Sequence, residues 1–150
     1  FFRMRPSESK LNSDVVAEFY DALLDLETPE KWKIESLTEI ASQQLASGYL
    51  YETVHAIEQR IAAAQSKHKL PVWYLLDSIV KQIGEPFKSA FSERLPRLIV
   101  DNMDFETTGL RDKYTELITL WNDTAVFPRS IFAKVEAIIE GRDPSPDPPA

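Results

Sequence analysis

The chain has 150 residues, of which 43% are hydrophobic and 27% are charged, and its formal net charge is −7. This length and composition predict one globular domain and exclude an intrinsically disordered chain, while the acidic balance argues against broad binding to nucleic acid, which needs clustered Lys and Arg. With no Cys and 2 His, disulfide bridges and thiolate or histidine-based structural metal sites are excluded, and no apolar run reaches the about 20 residues of a membrane-spanning helix.

Apolar residues recur at steps of three and four along almost the whole chain, and this spacing predicts about seven helices. The first is predicted over residues 14–26, with Ser13 as its cap. Thr28 and Pro29 indicate the start of the second, because a hydroxyl cap followed by Pro at the first helical position is typical of helix starts. Gly48 separates the second helix from a third.

The segment 70–83 is the most apolar in the chain and predicts a central helix that ends at Gly84. Pro86 is expected to start the next helical stretch. Pro96 is predicted to split that stretch in two, since a proline inside a helix removes a hydrogen bond and clashes with the preceding turn. The split would add one short helix to the count.

A sixth helix is predicted over residues 110–121, and a seventh is expected to begin at a Ser130 cap and to end at Gly141. Residues 142–150 contain four prolines and are expected to be an extended linker. Residues 1–11 are expected to be a disordered or artificial leader, and the chain to be part of a longer protein. No strand-length alternation stands out, so the predicted class is all-α.

Local signatures of catalysis are missing from the sequence: there is no HExxH, Walker loop or GxSxG. Asp77, Ser78 and His55 are the residue types of a catalytic triad, but nothing around Ser78 resembles a nucleophile elbow. We interpret His55 as a partly buried packing residue and His68 as solvated. The sequence therefore predicts a protein that is not an enzyme and has no cofactor or metal.

Two polar residues, Asp77 and Ser78, interrupt the most apolar helix, where an unpaired polar group is costly. Asp77 is expected either to cap a neighbouring loop or to face a groove. Tyr74 stands one turn before Ser78 and Lys81 one turn after Asp77, so polar groups can line one edge of this helix. A groove with an aromatic floor and a few hydrogen-bonding groups suits an extended peptide.

Residues 74–79 read Tyr-Leu-Leu-Asp-Ser-Ile and resemble the Tyr-x-x-Asp-Ser-Ile motif of the CTD-interacting domain (CID). This family binds YSPTSPS heptads in the C-terminal domain (CTD) of the largest subunit of RNA polymerase II. The resemblance covers residues 12–141 and is closest to the CTD-binding subunit of the pre-mRNA cleavage and polyadenylation factor IA. Further similar segments are 15–20, 34–38, 56–61, 84–87 and 117–121.

The resemblance implies a right-handed superhelix of about seven to eight helices, like VHS and ENTH domains. It also implies a nuclear module that recognises (phospho)heptad peptides and couples transcription to pre-mRNA 3′-end processing or termination. Other 3′-end processing factors would bind through regions outside this chain. No membrane contact and no direct nucleic-acid binding are expected of the domain.

The resemblance further implies a peptide groove between the second, the fourth and a later helix, in which Asp77 accepts a hydrogen bond from the heptad tyrosine. A carboxylate at the rim of an apolar pocket selects Tyr over Phe. Lysines and arginines are predicted to form a basic rim of this groove. For at least half of them, the alternative interpretation is an ordinary solvated surface charge. The predicted peptide-binding residues are Tyr74, Asp77, Ser78, Ile79, Lys81, Lys31, Lys33, Arg111, Lys113 and Leu117.

Two positions depart from the family pattern. Glu116 stands where some relatives have an arginine that grips a heptad phosphate, and Trp32 lies in a segment where relatives often have an Asn-Ser-Lys-Pro-like run. The alternative functions are a VHS- or ENTH-like trafficking adaptor that binds sorting peptides or phosphoinositides, and a scaffold domain or CID that has lost its ligand. The acidic balance and the match over residues 77–79 favour the CID.

Overall fold

The computed structural model describes residues 5–141, with side chains from Asp14 onward. Within this range the chain forms eight α-helices and no strand, which confirms the predicted all-α class. None of these helices combines the length and apolar character needed to cross a bilayer. The helices are α1 (Arg5–Leu24), α2 (Lys31–Ala46), α3 (Leu50–Ala63), α4 (Ser66–Gln82), α5 (Phe87–Ser92), α6 (Leu95–Asn102), α7 (Thr108–Asp123) and α8 (Arg129–Ile139).

The helices fall into two compact units, one extending to Phe87 and the other beginning at Lys88. In the first unit, α2 packs against α4 and α3, and α3 packs against α1 and α4. In the second unit, α6 packs against α8. α5 begins at the boundary between the units.

The predicted central helix, α4, is the most buried helix of the first unit. Between Leu70 and Val80, every side chain is buried except Tyr74 and Asp77. These two residues are three positions apart and therefore share one face of the helix. α4 begins at Ser66, a turn before the predicted start, and it accommodates Pro71 in its interior. One side of α4 thus remains open to a ligand.

The core of the second unit contains Tyr114, Leu117 and Trp121 on one face of α7. Trp121 and the fully buried Phe127 pack edge to face, with their ring centroids 5.2 Å apart. This geometry is favourable because the positive edge of one ring meets the negative face of the other. The split at Pro96 is confirmed, since α5 and α6 are separate helices and Pro96 lies in the first turn of α6.

The predicted caps at Thr28 and Ser130 are wrong. Glu30 precedes the first residue of α2, Pro128 precedes the first residue of α8, and neither helix has a side-chain cap bond. The Thr28 hydroxyl instead donates to Glu30 Oε2 over 2.9 Å, so a local side-chain partner displaces the cap.

The ends of two helices also bear on the predictions. α1 begins at Arg5 and includes Ser13, which is therefore not a cap. α2 ends at Ala46, and Gly48 follows two residues later with a φ of +90°, which suits a residue without a Cβ. Residues 5–11 of the predicted leader lie in α1, while residues 1–4 and 142–150 lie outside the described residues. The expected domain boundaries at the leader 1–11 and the linker 142–150 stay predictions.

Candidate binding site

The open face of α4 borders a cleft between α2 and α4, with a volume of about 290 Å³. Five of the ten predicted site residues line it, two of them lysines at its rim. The cleft therefore brings the motif on α4 together with the start of α2. Its lining residues are Pro29, Lys31, Ile34, Glu35, Tyr74, Asp77, Ser78, Lys81 and Gln82.

A chain of hydrogen bonds crosses the floor of the cleft from α4 to α2. Thr38 donates its hydroxyl proton to the carbonyl of Ile34 over 2.7 Å. Thr38 Oγ1 also lies 2.7 Å from Ser78 Oγ, and since its proton is engaged, Ser78 must be the donor of that bond. Gln82 Nε2 donates to Ser78 Oγ over 3.3 Å. The Ser78 hydroxyl is thus committed to holding α4 against α2.

Each wall of the cleft carries an ion pair between residues one turn apart on the same helix. On α4, Lys81 Nζ lies 3.1 Å from Asp77 Oδ1. On α2, Lys31 Nζ lies 3.9 Å from Glu35 Oε2. The Asp77 side chain is 18% exposed and that of Lys31 is 87% exposed. Asp77 is therefore a sheltered acceptor inside the cleft, while Lys31 is a solvated cation at its rim.

Two predicted site residues, Ile79 and Leu117, lie in the cores of their units. Ile79 is fully buried on α4, and Leu117 is 4% exposed on α7. Side chains this deeply buried offer a ligand almost no contact surface in this conformation. Both residues are therefore core residues that pack beneath the surface of their own unit. The predicted direct contact of their side chains with a peptide is corrected accordingly.

Lys33 points away from the cleft, toward the end of α1. Its Nζ donates to the carbonyl of Asp25 over 3.1 Å and lies 3.9 Å from Glu30 Oε2. The same ammonium lies 5.7 Å from the ring centroid of Trp32, within cation–π range. Lys33 and Trp32 line a separate cleft of about 200 Å³ between α1 and α2. The structure therefore places Lys33 outside the cleft that contains Asp77.

The Glu30 carboxylate organises this start of α2. Its Oε1 accepts a hydrogen bond of 2.9 Å from the indole N–H of Trp32, and its Oε2 accepts the bond from Thr28. These two bonds and the charge of Lys33 lower the pKa of Glu30 below its ordinary value of 4.5. Trp32 is 63% exposed, so it presents a large apolar surface beside the Glu30 carboxylate.

The other two predicted cations, Arg111 and Lys113, lie in the second unit, on the exposed surface of α7. They border an open depression together with Asp112 and Glu116. Arg111 Nε lies 3.9 Å from Asp112 Oδ1. The charge of this surface is therefore mixed, and Glu116 is exposed where a phosphate-gripping arginine is expected from the family pattern.

Sequence reasoning missed Thr38, Glu35 and Gln82. Thr38 carried a usable signal, because it is a hydroxyl residue on the buried stripe of α2, where a polar group needs a partner. Glu35 and Gln82 carried none, since exposed polar residues are common on any helix. His55 is exposed, so the interpretation as a partly buried residue is wrong.

The family model of the CID domain matches residues 17–135. The chain belongs to the CID family. The resemblance predicted from residues 74–79 is thereby confirmed, and the cleft between α2 and α4 lies at that motif.

This CID is 33% identical over 130 residues to Protein PCF11 of Saccharomyces cerevisiae, covering 83% of this chain and 20% of that protein. It is 32% identical over 130 residues to the protein C4G9.04c of Schizosaccharomyces pombe, covering 81% of this chain and 20% of the relative. The chain spans about one fifth of the length of these curated relatives. Its fold is similar to the crystal structure of the RPR of Pcf11, with a TM-score of 0.74, 30% identity, and coverage of 84% of this chain and 98% of that one.

Proposed function

We propose that this CID binds heptad peptides of the RNA polymerase II CTD in the cleft between α2 and α4. The observation that carries the proposal is the open face of α4, where Tyr74 and Asp77 are the only side chains between Leu70 and Val80 that are not buried. A volume of about 290 Å³ admits a side chain of the peptide and leaves the rest of it on the surface.

Asp77 is the proposed acceptor for the hydroxyl of the heptad tyrosine. Lys81 holds the carboxylate from one side at 3.1 Å, and a carboxylate has further lone pairs that can accept a bond. A peptide with Phe in place of Tyr would cover this sheltered carboxylate without supplying the bond from the tyrosine hydroxyl, which is costly. Ser78 acts as a positioning residue, because its proton is given to Thr38.

The heptad phosphate is proposed to interact with Lys31 and with the general charge of the rim. Lys31 is the cation of the cleft most exposed to solvent, so its interaction with phosphate is screened and modest. A short flexible ligand in an open cleft binds weakly, with a Kd on the order of 10 to 1000 μM, about −4 to −7 kcal/mol.

In the cell, we propose a nuclear module that couples transcription to pre-mRNA 3′-end processing or termination. The similarity to PCF11 over most of this chain supports this role. Contacts with other processing factors are assigned to regions outside the CID. The role is one of binding and not of catalysis, which agrees with the engagement of the Ser78 hydroxyl in a structural bond.

The test is a titration of the isotopically labelled CID, followed by NMR, with two-heptad peptides that are unphosphorylated or phosphorylated at the second-position serine. Amide shifts are expected around residues 74–82 and at the start of α2. Phosphoinositide-containing liposomes serve as the comparison for a trafficking adaptor. Liposome binding without any amide shift at millimolar peptide would overturn the proposal.

A further inference from the structure

Thr28 lies in the exposed loop between α1 and α2, outside the set of residues that line the cleft. Residues 28–31 read Thr-Pro-Glu-Lys, and residues 27–31 are all exposed. Between residues 5 and 141, this is the one place where Ser or Thr is followed by Pro. The segment is therefore accessible, and although Pro29 and Lys31 also line the cleft, the peptide-binding function gives the Thr28 hydroxyl no role.

A hydroxyl residue followed by Pro is a pattern that some protein kinases recognise in the residue they phosphorylate. A kinase with an apolar pocket just after its acceptor residue favours Pro there, because any other residue would bury an unpaired backbone N–H. A cation three residues after the acceptor, here Lys31, can add an ion pair with an acidic group of the enzyme. Thr28 supplies the hydroxyl, and Pro29 supplies the residue without an N–H.

We propose that Thr28 is a phosphorylation site for a proline-directed protein kinase that uses ATP. In the reaction, Thr28 Oγ1 forms a bond to the γ-phosphorus of ATP while the bond from that phosphorus to the β–γ bridging oxygen breaks. ADP leaves with the bridging oxygen, and the hydroxyl proton passes to the catalytic base of the kinase. The product is phosphothreonine in the loop that precedes α2.

The contacts of the hydroxyl define what the phosphate changes. Thr28 Oγ1 donates to Glu30 Oε2 at 2.9 Å, and Lys33 Nζ approaches the same oxygen at 3.9 Å. The indole N–H of Trp32 donates to Glu30 Oε1. Phosphorylation removes the proton that Thr28 donates and adds about −1.5 to −2 charges beside this carboxylate.

Repulsion then moves Glu30 away from Thr28, and Lys33 turns from the carboxylate to the phosphate, which carries more charge. Trp32 loses the acceptor that holds its exposed indole ring. Phosphorylation of Thr28 is therefore coupled to a rearrangement of Trp32 on the surface between α1 and α2. This consequence does not depend on any peptide bound near Asp77.

The first experiment treats the full 150-residue chain with a proline-directed kinase and MgATP and locates the phosphoryl group by mass spectrometry of proteolytic peptides. Ser145 is an internal comparison, because it precedes Pro146 but has no cation three residues later. Thr28 is expected to react several times faster than Ser145, and Lys31→Ala is expected to slow the reaction at Thr28 alone. Failure of Thr28 to react, whether or not Ser145 reacts, overturns the site.

The second experiment compares the indole N–H signals of Trp32, Trp73 and Trp121 by NMR before and after kinase treatment. The Trp32 signal is expected to move, while those of the buried Trp73 and Trp121 stay in place. Thr28→Val keeps the shape of the side chain without its hydroxyl and serves as the control. In this variant, kinase treatment is expected to leave the Trp32 signal unchanged. A phosphorylated chain whose Trp32 signal does not move would overturn the rearrangement. Neither experiment uses the heptad peptide, so their results are independent of the peptide titration that tests the proposed function.

Discussion

Ser78 Oγ on α4 and Thr38 Oγ1 on α2 lie 2.7 Å apart, and both side chains are buried. The bond joins the two walls of the cleft, and its direction follows from the bond that Thr38 makes to the carbonyl of Ile34. A buried hydroxyl pair of this kind needs a defined distance and direction, whereas the hydrophobic effect is non-directional. The pair therefore joins the two helices that carry Asp77 on one wall and Lys31 on the other.

We expect Ser78→Ala to lower the free energy of unfolding by about 1 to 2 kcal/mol, because Thr38 loses a donor inside the protein. Adding Thr38→Val, which removes the second polar group as well, is expected to cost less than the sum of the single changes. Urea denaturation of the four proteins measures this coupling. Ser36→Ala, at an exposed position of α2, is the control. Strict additivity would contradict the bond.

Asp77→Asn keeps the size of the side chain and loses its charge, and we expect it to weaken heptad binding by about 1 to 2 kcal/mol. Changing the peptide tyrosine to phenylalanine should weaken binding to the wild type by a similar amount. It should weaken binding to the variant much less, because both changes remove the same hydrogen bond. Four calorimetric titrations measure the coupling, with Glu39→Gln on α2 as a control outside the cleft. If the two changes add, and the variant melts at a lower temperature, Asp77 is a structural residue.

Lys31 and Lys33 provide a matched pair, two residues apart on α2 but with ammonium groups in different surroundings. Lys31→Gln is expected to weaken binding of the phosphorylated peptide by about 0.5 to 1 kcal/mol, as is typical of an exposed ion pair. Lys33→Gln should have a smaller effect, because Lys33 is turned toward Asp25 and Glu30. Titrations at low and high salt check this. An equal loss from both variants would indicate that only net charge matters.

Glu116→Arg tests the α7 surface of the second unit. The change would place a third cation near Arg111 and Lys113, and we propose that it tightens binding of the phosphorylated peptide while changing the unphosphorylated one little. Glu136→Arg on the exposed surface of α8 changes the net charge equally and is the control. If both variants tighten binding alike, the effect comes from overall charge and not from the surface of α7.

The acid titration of Glu30 tests the contacts at the start of α2. Its pKa is lowered from 4.5 in the folded protein, so its contribution to stability is fully present above the unfolded pKa and is lost as the pH falls through the folded pKa. The indole N–H signal of Trp32 should therefore shift with a midpoint below pH 4.5. Glu30→Gln should abolish this transition, and a midpoint at or above 4.5 would contradict the assignment.

The sequence by itself determined the helical class, the position of the central helix and the break at Pro96. These features depend on local rules, since the spacing of apolar residues along α4 and the missing N–H of a proline act within a turn or two of chain. The motif at residues 74–79 also indicated the family, because it stands within a match that extends along the whole domain.

The tertiary structure alone decided which groups meet. Thr38 and Ser78 are 40 residues apart in the chain, and no periodicity predicts their bond, which depends on how α2 and α4 are rotated and how closely they pack. The direction of Lys33 was equally unpredictable, because its acceptor, the Asp25 carbonyl, lies at the end of another helix. A residue's face on its own helix is a local property, but its partner is fixed by the packing of several helices at once.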